Sequence, residues 1–277
     1  MTKKHFLVLG ARLGAALAFI LFAAFPLYWM FNASLLDTSD MFQKVPKFFP
    51  TLTGAGGYAE VFGAVPILDW LQNSAVIASG TTVLSLLIAL FAAYGLSRYS
   101  FRGKGVIGFA LFATQMLPEA LLLVPLYALF LGLGLLNSLW GLVLVDTVFV
   151  MPILVWLLKG AIDSVPLEVE EAARIDGCSR FTIQVSIVWP LILPSIAAAS
   201  VLAFFHAWNE YLLASTFIVD ADKRPASVGL ASLIGELTTP LDQVMSAAIL
   251  YTIPALVFFL IVQRRIVTGL TAGSVKG

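Results

Sequence analysis

One cysteine, Cys178, stands in 277 residues, which excludes an intrachain disulfide and any cysteine-built metal site. The two histidines, His5 and His206, lie far apart in sequence and in no metal-like spacing, so no metal site is expected. Charge is equally scarce. Only 12% of the residues are charged, where a soluble domain carries roughly 25%. Formal net charge is zero and no basic tract exists, so a nucleic-acid partner has no support. There is no G-x-x-x-x-G-K-[ST] phosphate loop, no G-x-S-x-G and no H-E-x-x-H. No internal repeat is evident, which leaves an inverted-repeat carrier without sequence support.

What the chain does have is apolar length. Hydrophobic residues make up 60% of it and the mean hydropathy is +0.96. So little charge cannot cover a water-facing surface, and the solvent must be largely lipid. A spanning helix needs ~20 apolar residues. Six stretches qualify, at about 6–33, 71–97, 105–131, 139–160, 185–217 and 244–264. They are continuously apolar rather than alternating, which favours helices over a barrel. The expected fold is therefore an all-α polytopic membrane protein with six spans, forming one domain over 1–277 with its core at about 70–265. The first stretch has the basic end and apolar middle of a signal peptide, but its apolar run is long and Arg12 interrupts it. It is read as a retained span.

Basic residues sort by side once the N-terminus is placed in the cytoplasm. Lys3, Lys4, Arg12, Arg98, Arg102, Lys104, Lys159, Arg174, Arg180, Arg264, Arg265 and Lys276 then fall inside, and only Lys44, Lys47, Lys223 and Arg224 fall outside. The positive-inside rule reads this as both ends cytoplasmic. Two loops, about 34–70 and 218–243, face outward.

Between the fourth and fifth stretches runs VPLEVEEAARIDGCSR, residues 165–180, an acid-rich patch that breaks the apolar pattern. Pro166 suits a first helical turn, and Glu168, Glu170 and Glu171 oppose the positive end of the helix dipole. Glu170 and Arg174 are spaced i,i+4 in the favourable order. Gly177 offers a left-handed stop. The result is a helix of about three turns, marginal alone in water, which must dock on something. On a helical wheel Val169, Ala172 and Ala173 form a small apolar arc, and Glu170, Glu171 and Arg174 lie opposite. Packing on its own protein and docking on a partner both remain open.

EAARIDG followed by IVWP resembles the EAA loop of ABC importer permeases. Glu171, Ala172, Ala173, Gly177, Ile187 and Pro190 fall on that pattern, with Trp189 where the family has Leu. AYGLSRYSFRGK at 93–104, FFHAWNEYLLA at 204–214, Asn73–Ser74, PLY at 125–127 and the tail QRRIVTGLTAGSVKG at 263–277 resemble the sugar-import branch, the maltose-permease G-subunit type. In GGYAEVF, at 56–62, Gly57 stands where many relatives have Asn. The resemblance implies a coupling loop at about 161–182, with Glu170, Glu171, Ala172, Ala173, Arg174, Asp176 and Gly177 meeting a cytoplasmic ATPase dimer. It also implies a second homologous permease, an extracytoplasmic solute-binding protein and a sugar or sugar-like solute. On this reading no cofactor is bound by this chain: ATP and Mg belong to the partner ATPase.

Ionisable groups at bilayer depth are functional candidates. Glu119 follows Pro118 midway along the third stretch, where the proline predicts a kink. Asp146 lies in the outer half of the fourth stretch, and Glu119 and Asp146 have the same readings: lining a pathway, or pairing with a neighbouring helix or at the interface with the second permease. His206, Asn209 and Glu210 are spaced to share one face of a continuous fifth helix, with Trp208 and Tyr211 nearby. Planar polar groups beside aromatic faces suit a hydroxyl-rich solute; helix–helix hydrogen bonding is the other reading. The opposing class, a membrane-embedded enzyme, would draw on Glu119, Asp146, His206 and Glu210, but it leaves the 165–180 helix unexplained.

Overall fold

The computed structural model describes residues 3–51, 56–235 and 239–273, and among these it contains helices and no strand. In chain order they are α1 (Lys3–Ala33), α2 (Thr38–Met41), α3 (Gly56–Ala64), α4 (Ile67–Arg98), α5 (Lys104–Thr114), α6 (Glu119–Gly132) and α7 (Leu139–Asp163). There follow α8 (Leu167–Ile175), α9 (Arg180–Ile183), α10 (Trp189–Leu191), α11 (Leu193–Trp208), α12 (Leu212–Phe217), α13 (Ala226–Ser232) and α14 (Leu241–Gly273). A π-helical turn at Gln184–Val188 joins α9 to α10. The last four residues of the tail that resembles the sugar importers lie outside the described residues.

Four helices are long and apolar enough to cross a membrane singly: α1 over Gly10–Ala33, α4, α7, and α14 over Leu241–Ile266. The third and fifth stretches are broken instead of continuous. The α5–α6 pair bends by 102° and the Arg180–Leu191 and Leu193–Phe217 pair by 82°, giving six spans if each bent pair counts as one. Pro118 does more than kink its helix. Its backbone is extended, with ψ at 129°, and it caps α6 from outside. The break is tied to the next span where the Gln115 side-chain amide donates to the Phe149 carbonyl over 2.9 Å.

The chain forms two compact units, residues 1–67 with 230–253, and residues 68–229 with 254–277. In the first, the Ser34 and Tyr58 hydroxyls lie 2.8 Å apart, Thr38 donates to Asp242 over 2.7 Å, and Gln243 donates to Glu60 over 2.8 Å. Gly57 makes a close approach: a Cβ there would stand 3.2 Å from Ser246 Oγ and 3.3 Å from the Asp242 backbone. Most of α1 lies open, as a lipid-facing helix would.

The second unit is built on α7. Its Leu154, Val155 and Leu158 are fully buried among Ala89 and Ala93 of α4 and Ala199 and Ala203 of α11. Small residues at these positions let helices approach closely without a hydrophobic drive from water. At one end of this unit, Asn73 donates to the carbonyls of Asp222 and Arg224 over 2.8 and 3.1 Å, and Ser74 Oγ accepts the Ala226 N–H over 2.8 Å. The Asn-Ser pair thus pins the 222–226 segment to the start of α4. Asn137, at φ 57°, accepts the N–H groups of Val219 and Asp220 and donates to the Asp220 carboxylate.

Candidate functional site: a capped surface helix and an intramembrane cavity

α8 forms where its sequence predicts. Pro166 precedes it in extended conformation, and Glu168 and Glu170 sit in its first turn. Its C-terminus is a Schellman turn: the Cys178 N–H donates to the Ala173 carbonyl and the Gly177 N–H to that of Arg174, both over 3.0 Å, with Gly177 at φ 86°. Asp176 is the C-cap residue.

The faces of α8 differ from the helical-wheel assignment. Glu170, expected on the outer charged face and paired with Arg174, is fully buried and bonded elsewhere. Its Oε1 accepts from Arg98 Nε over 2.6 Å and its Oε2 from the Tyr94 hydroxyl over 2.7 Å. Arg98 also donates through Nη2 to the carbonyls of Ile162 and Val165, over 2.9 and 2.8 Å. Ala173 packs inward beside Glu170, whereas Val169 and Ala172, expected on the inner arc, are exposed. The physical reason lies outside the helix. A guanidinium and a phenol from α4 solvate the Glu170 carboxylate better than an exposed i,i+4 arginine, which is worth only ~0.5 kcal/mol or less. The outward surface that remains combines Leu167, Val169, Ala172 and Ile175, the last 87% exposed, with Glu171 and Arg174.

The intramembrane candidates separate into two kinds. Glu119 and His206 line one cavity of about 430 Å³ together with Gln115, Phe149 and Phe205. Asn209 and Glu210 do not share a helical face with His206, because α11 ends at Trp208. Asn209 is its C-cap, with its side chain donating to the Phe205 carbonyl over 2.9 Å. Glu210 turns toward α12, where it accepts the N–H groups of Leu213 and Ala214 over 2.6 and 2.8 Å. Trp208 is 1% exposed and stacks on Phe204 at 5.4 Å, inside the core. Asp146 is likewise buried within the chain, and neither carboxylate oxygen accepts a hydrogen bond from a described residue. Among the described residues, no group of three or more His, Cys, Asp and Glu side chains is placed to hold a metal ion.

The fold is thus that of a multi-span α-helical protein with two broken spans and a short capped helix, α8, between the fourth and the fifth. Residues 85–271 match the family of binding-protein-dependent transport system inner membrane components, and the chain belongs to that family. It is 34% identical over 266 residues to the sulfoquinovosyl glycerol transport system permease protein of Agrobacterium fabrum, covering 96% of this chain and 93% of that one. It is 32% identical over 282 residues to the trehalose/maltose transport system permease protein of Thermococcus litoralis, covering 99% and 98%. A bacterial ABC transporter that imports the acidic polysaccharide alginate has a chain of the same fold, with a TM-score of 0.79 at 22% identity over 95% of this chain and 98% of that one. These relatives are transport proteins, and the reading as a membrane-embedded enzyme finds no support among them.

Proposed function

We propose that this chain is one of two permease subunits of an ATP-driven importer for a sugar or sugar-like solute, and that α8 is where a cytoplasmic ATPase dimer docks. The observation that carries the reading is the outward face of α8. Apolar Leu167, Val169, Ala172 and Ile175 stand open to solvent beside Glu171 and Arg174, on a helix fixed at both ends. Fixed apolar side chains within a charged rim are what a protein partner's cleft requires. Both chain ends would then be cytoplasmic, a reading that the distribution of lysine and arginine supports. Nucleotide and magnesium would be bound by the ATPase. The solute-binding protein would deliver cargo at the opposite face, near the loop pinned by Asn73 and Ser74. The sugar class follows from the solutes named for the relatives and from the cavity, where Gln115, Glu119 and His206 offer polar groups between Phe149 and Phe205. Trp208, Asn209 and Glu210 would support that wall from the ends of α11 and α12.

The test is a mild-detergent purification of the tagged chain from its own cells, beside Glu171→Lys. Recovery of an ATPase with the parent chain and its loss with the variant is the expected result. Recovery of the chain alone in both would overturn the docking role.

A further inference from the structure

The link between Glu170 and α4 is built differently from ordinary helix packing. The Arg98 side chain is 9% exposed and that of Glu170 not at all, so the ion pair is almost wholly withdrawn from water. A buried pair of this kind contributes little net stability, because desolvation offsets most of its attraction. Its geometric consequence is larger. Both oxygens of Glu170 are held, one by Arg98 and one by Tyr94 a turn earlier on α4, which fixes the rotation of α8 about its own axis. With Glu170 inward, Glu171 and Ile175 are outward; each successive helical residue lies ~100° further round, so turning Glu171 inward would withdraw the exposed face. Arg98 at the same time holds the carbonyls of Ile162 and Val165, and Ser97 donates to Asp163 over 2.6 Å. The end of α4, the end of α7 and the middle of α8 therefore meet at one guanidinium.

We propose that Arg98, Glu170 and Tyr94 form a latch that makes α8 and the adjoining end of α4 move as one body. A push on α8 would then be delivered directly to the α4 span instead of being lost in the 176–179 and 164–166 connections. The inference rests on the docking role proposed for α8. Arg98 and Glu170 are positioning residues in this scheme: they need not touch the ATPase.

The test uses the importer complex purified from its own cells, with Cys178→Ser in this chain and other subunits free of cysteine. Spin labels are placed at Glu168→Cys on α8 and Val83→Cys on α4, both exposed and outside the latch, and the labelled complex is used once a gel shows that it keeps the ATPase held by the unlabelled parent. The expected result is one narrow label-to-label distance that is the same without nucleotide and after vanadate trapping. Glu170→Gln should broaden that distribution at least twofold and let it shift on trapping, while the ATPase still co-purifies. Tyr94→Phe should fall between them. A shift on trapping in the parent chain would overturn the proposal without any variant having to fold. So would a Glu170→Gln distribution as narrow as the parent's. Absence of an ATPase from the parent complex would remove the docking reading itself, an outcome read on a gel before any distance is measured.

Discussion

The backbone N–H of Leu213 donates to Glu210 Oε1 over 2.6 Å, which turns one of the intramembrane carboxylates into a helix cap. Its second oxygen serves Ala214, and the Glu210 carbonyl accepts from Ser227 Oγ over 2.6 Å. Such a residue is occupied with holding its own chain together. Glu119 stands at the other extreme, on the wall of the cavity with His206.

Glu210 and Glu119 should therefore fail differently. Glu210→Ala removes the cap and should cost about 1 kcal/mol of stability or somewhat more, seen as a lower melting temperature of the purified chain. Glu119→Ala should leave melting nearly unchanged. It should instead cut uptake of the solute carried by the co-purified binding protein by roughly tenfold or more, the loss of one charge-assisted hydrogen bond worth ~1.5–3 kcal/mol. Equal melting losses with unchanged uptake in both variants would place Glu119 among the structural groups.

The difference between these two acids was not legible in the sequence, and neither was the burial of Glu170. Spacing arguments treat a helix as continuous, and i, i+3 and i+4 residues as neighbours on it. α8 is continuous, and its proline start and Gly177 stop were readable because each is fixed by residues within one turn, though its i,i+4 pair did not form. Continuity fails for His206, Asn209 and Glu210, because α11 ends at Trp208 with Asn209 as its C-cap. For Glu170 the deciding group is Arg98, 72 residues earlier, and no local pattern reports a partner that distant. The motif AYGLSRYSFRGK is visible in the sequence, yet only the fold explains why it carries both Tyr94 and Arg98. The apolar runs located all six stretches, but Pro118 produced a break of 102° where a kink was expected.

Gly229 on α13 lies flat against the buried indole of Trp70, where an added Cβ would overlap the ring. An aromatic ring in a packed site cannot fold away, so Gly229→Ala should behave as overpacking and cost about 1–3 kcal/mol. The expected outcome is a depressed melting temperature in detergent, partly restored by Trp70→Leu in the same chain. Full stability of Gly229→Ala alone would show that this contact yields.

Asp220 offers a pH test outside the spans. Its hydrogen bond from Asn137, and then that from Lys223, hold its carboxyl below the usual carboxylate range. A carboxyl whose folded pKa is lowered stabilises the fold fully above its unfolded value, near 4, and loses that contribution as pH falls through the folded value. Between pH 7 and pH 5 the 218–224 segment should therefore keep its resistance to proteolysis. Asp220→Asn, which imitates the protonated group, should speed tryptic cleavage after Lys223 at pH 7. Cleavage at the parent rate would mean that Asn137 holds the segment without the carboxylate.

Ile175 is the sharpest probe of the outward face of α8. It is 87% exposed on the last turn of the helix, beyond the reach of the Arg98–Glu170 pair, so its side chain contributes little to folding. Exposed substitutions of this kind change stability by about 0.5 kcal/mol or less. Ile175→Glu should accordingly leave expression and melting temperature unchanged. If the apolar group is buried in a partner's cleft, the same change places an unpaired carboxylate there, at a cost of several kcal/mol. The ATPase should then be lost from the purified complex as completely as with Glu171→Lys. Retention of the ATPase by Ile175→Glu would confine docking to the Glu171 and Arg174 side of the helix and exclude the apolar group from the interface.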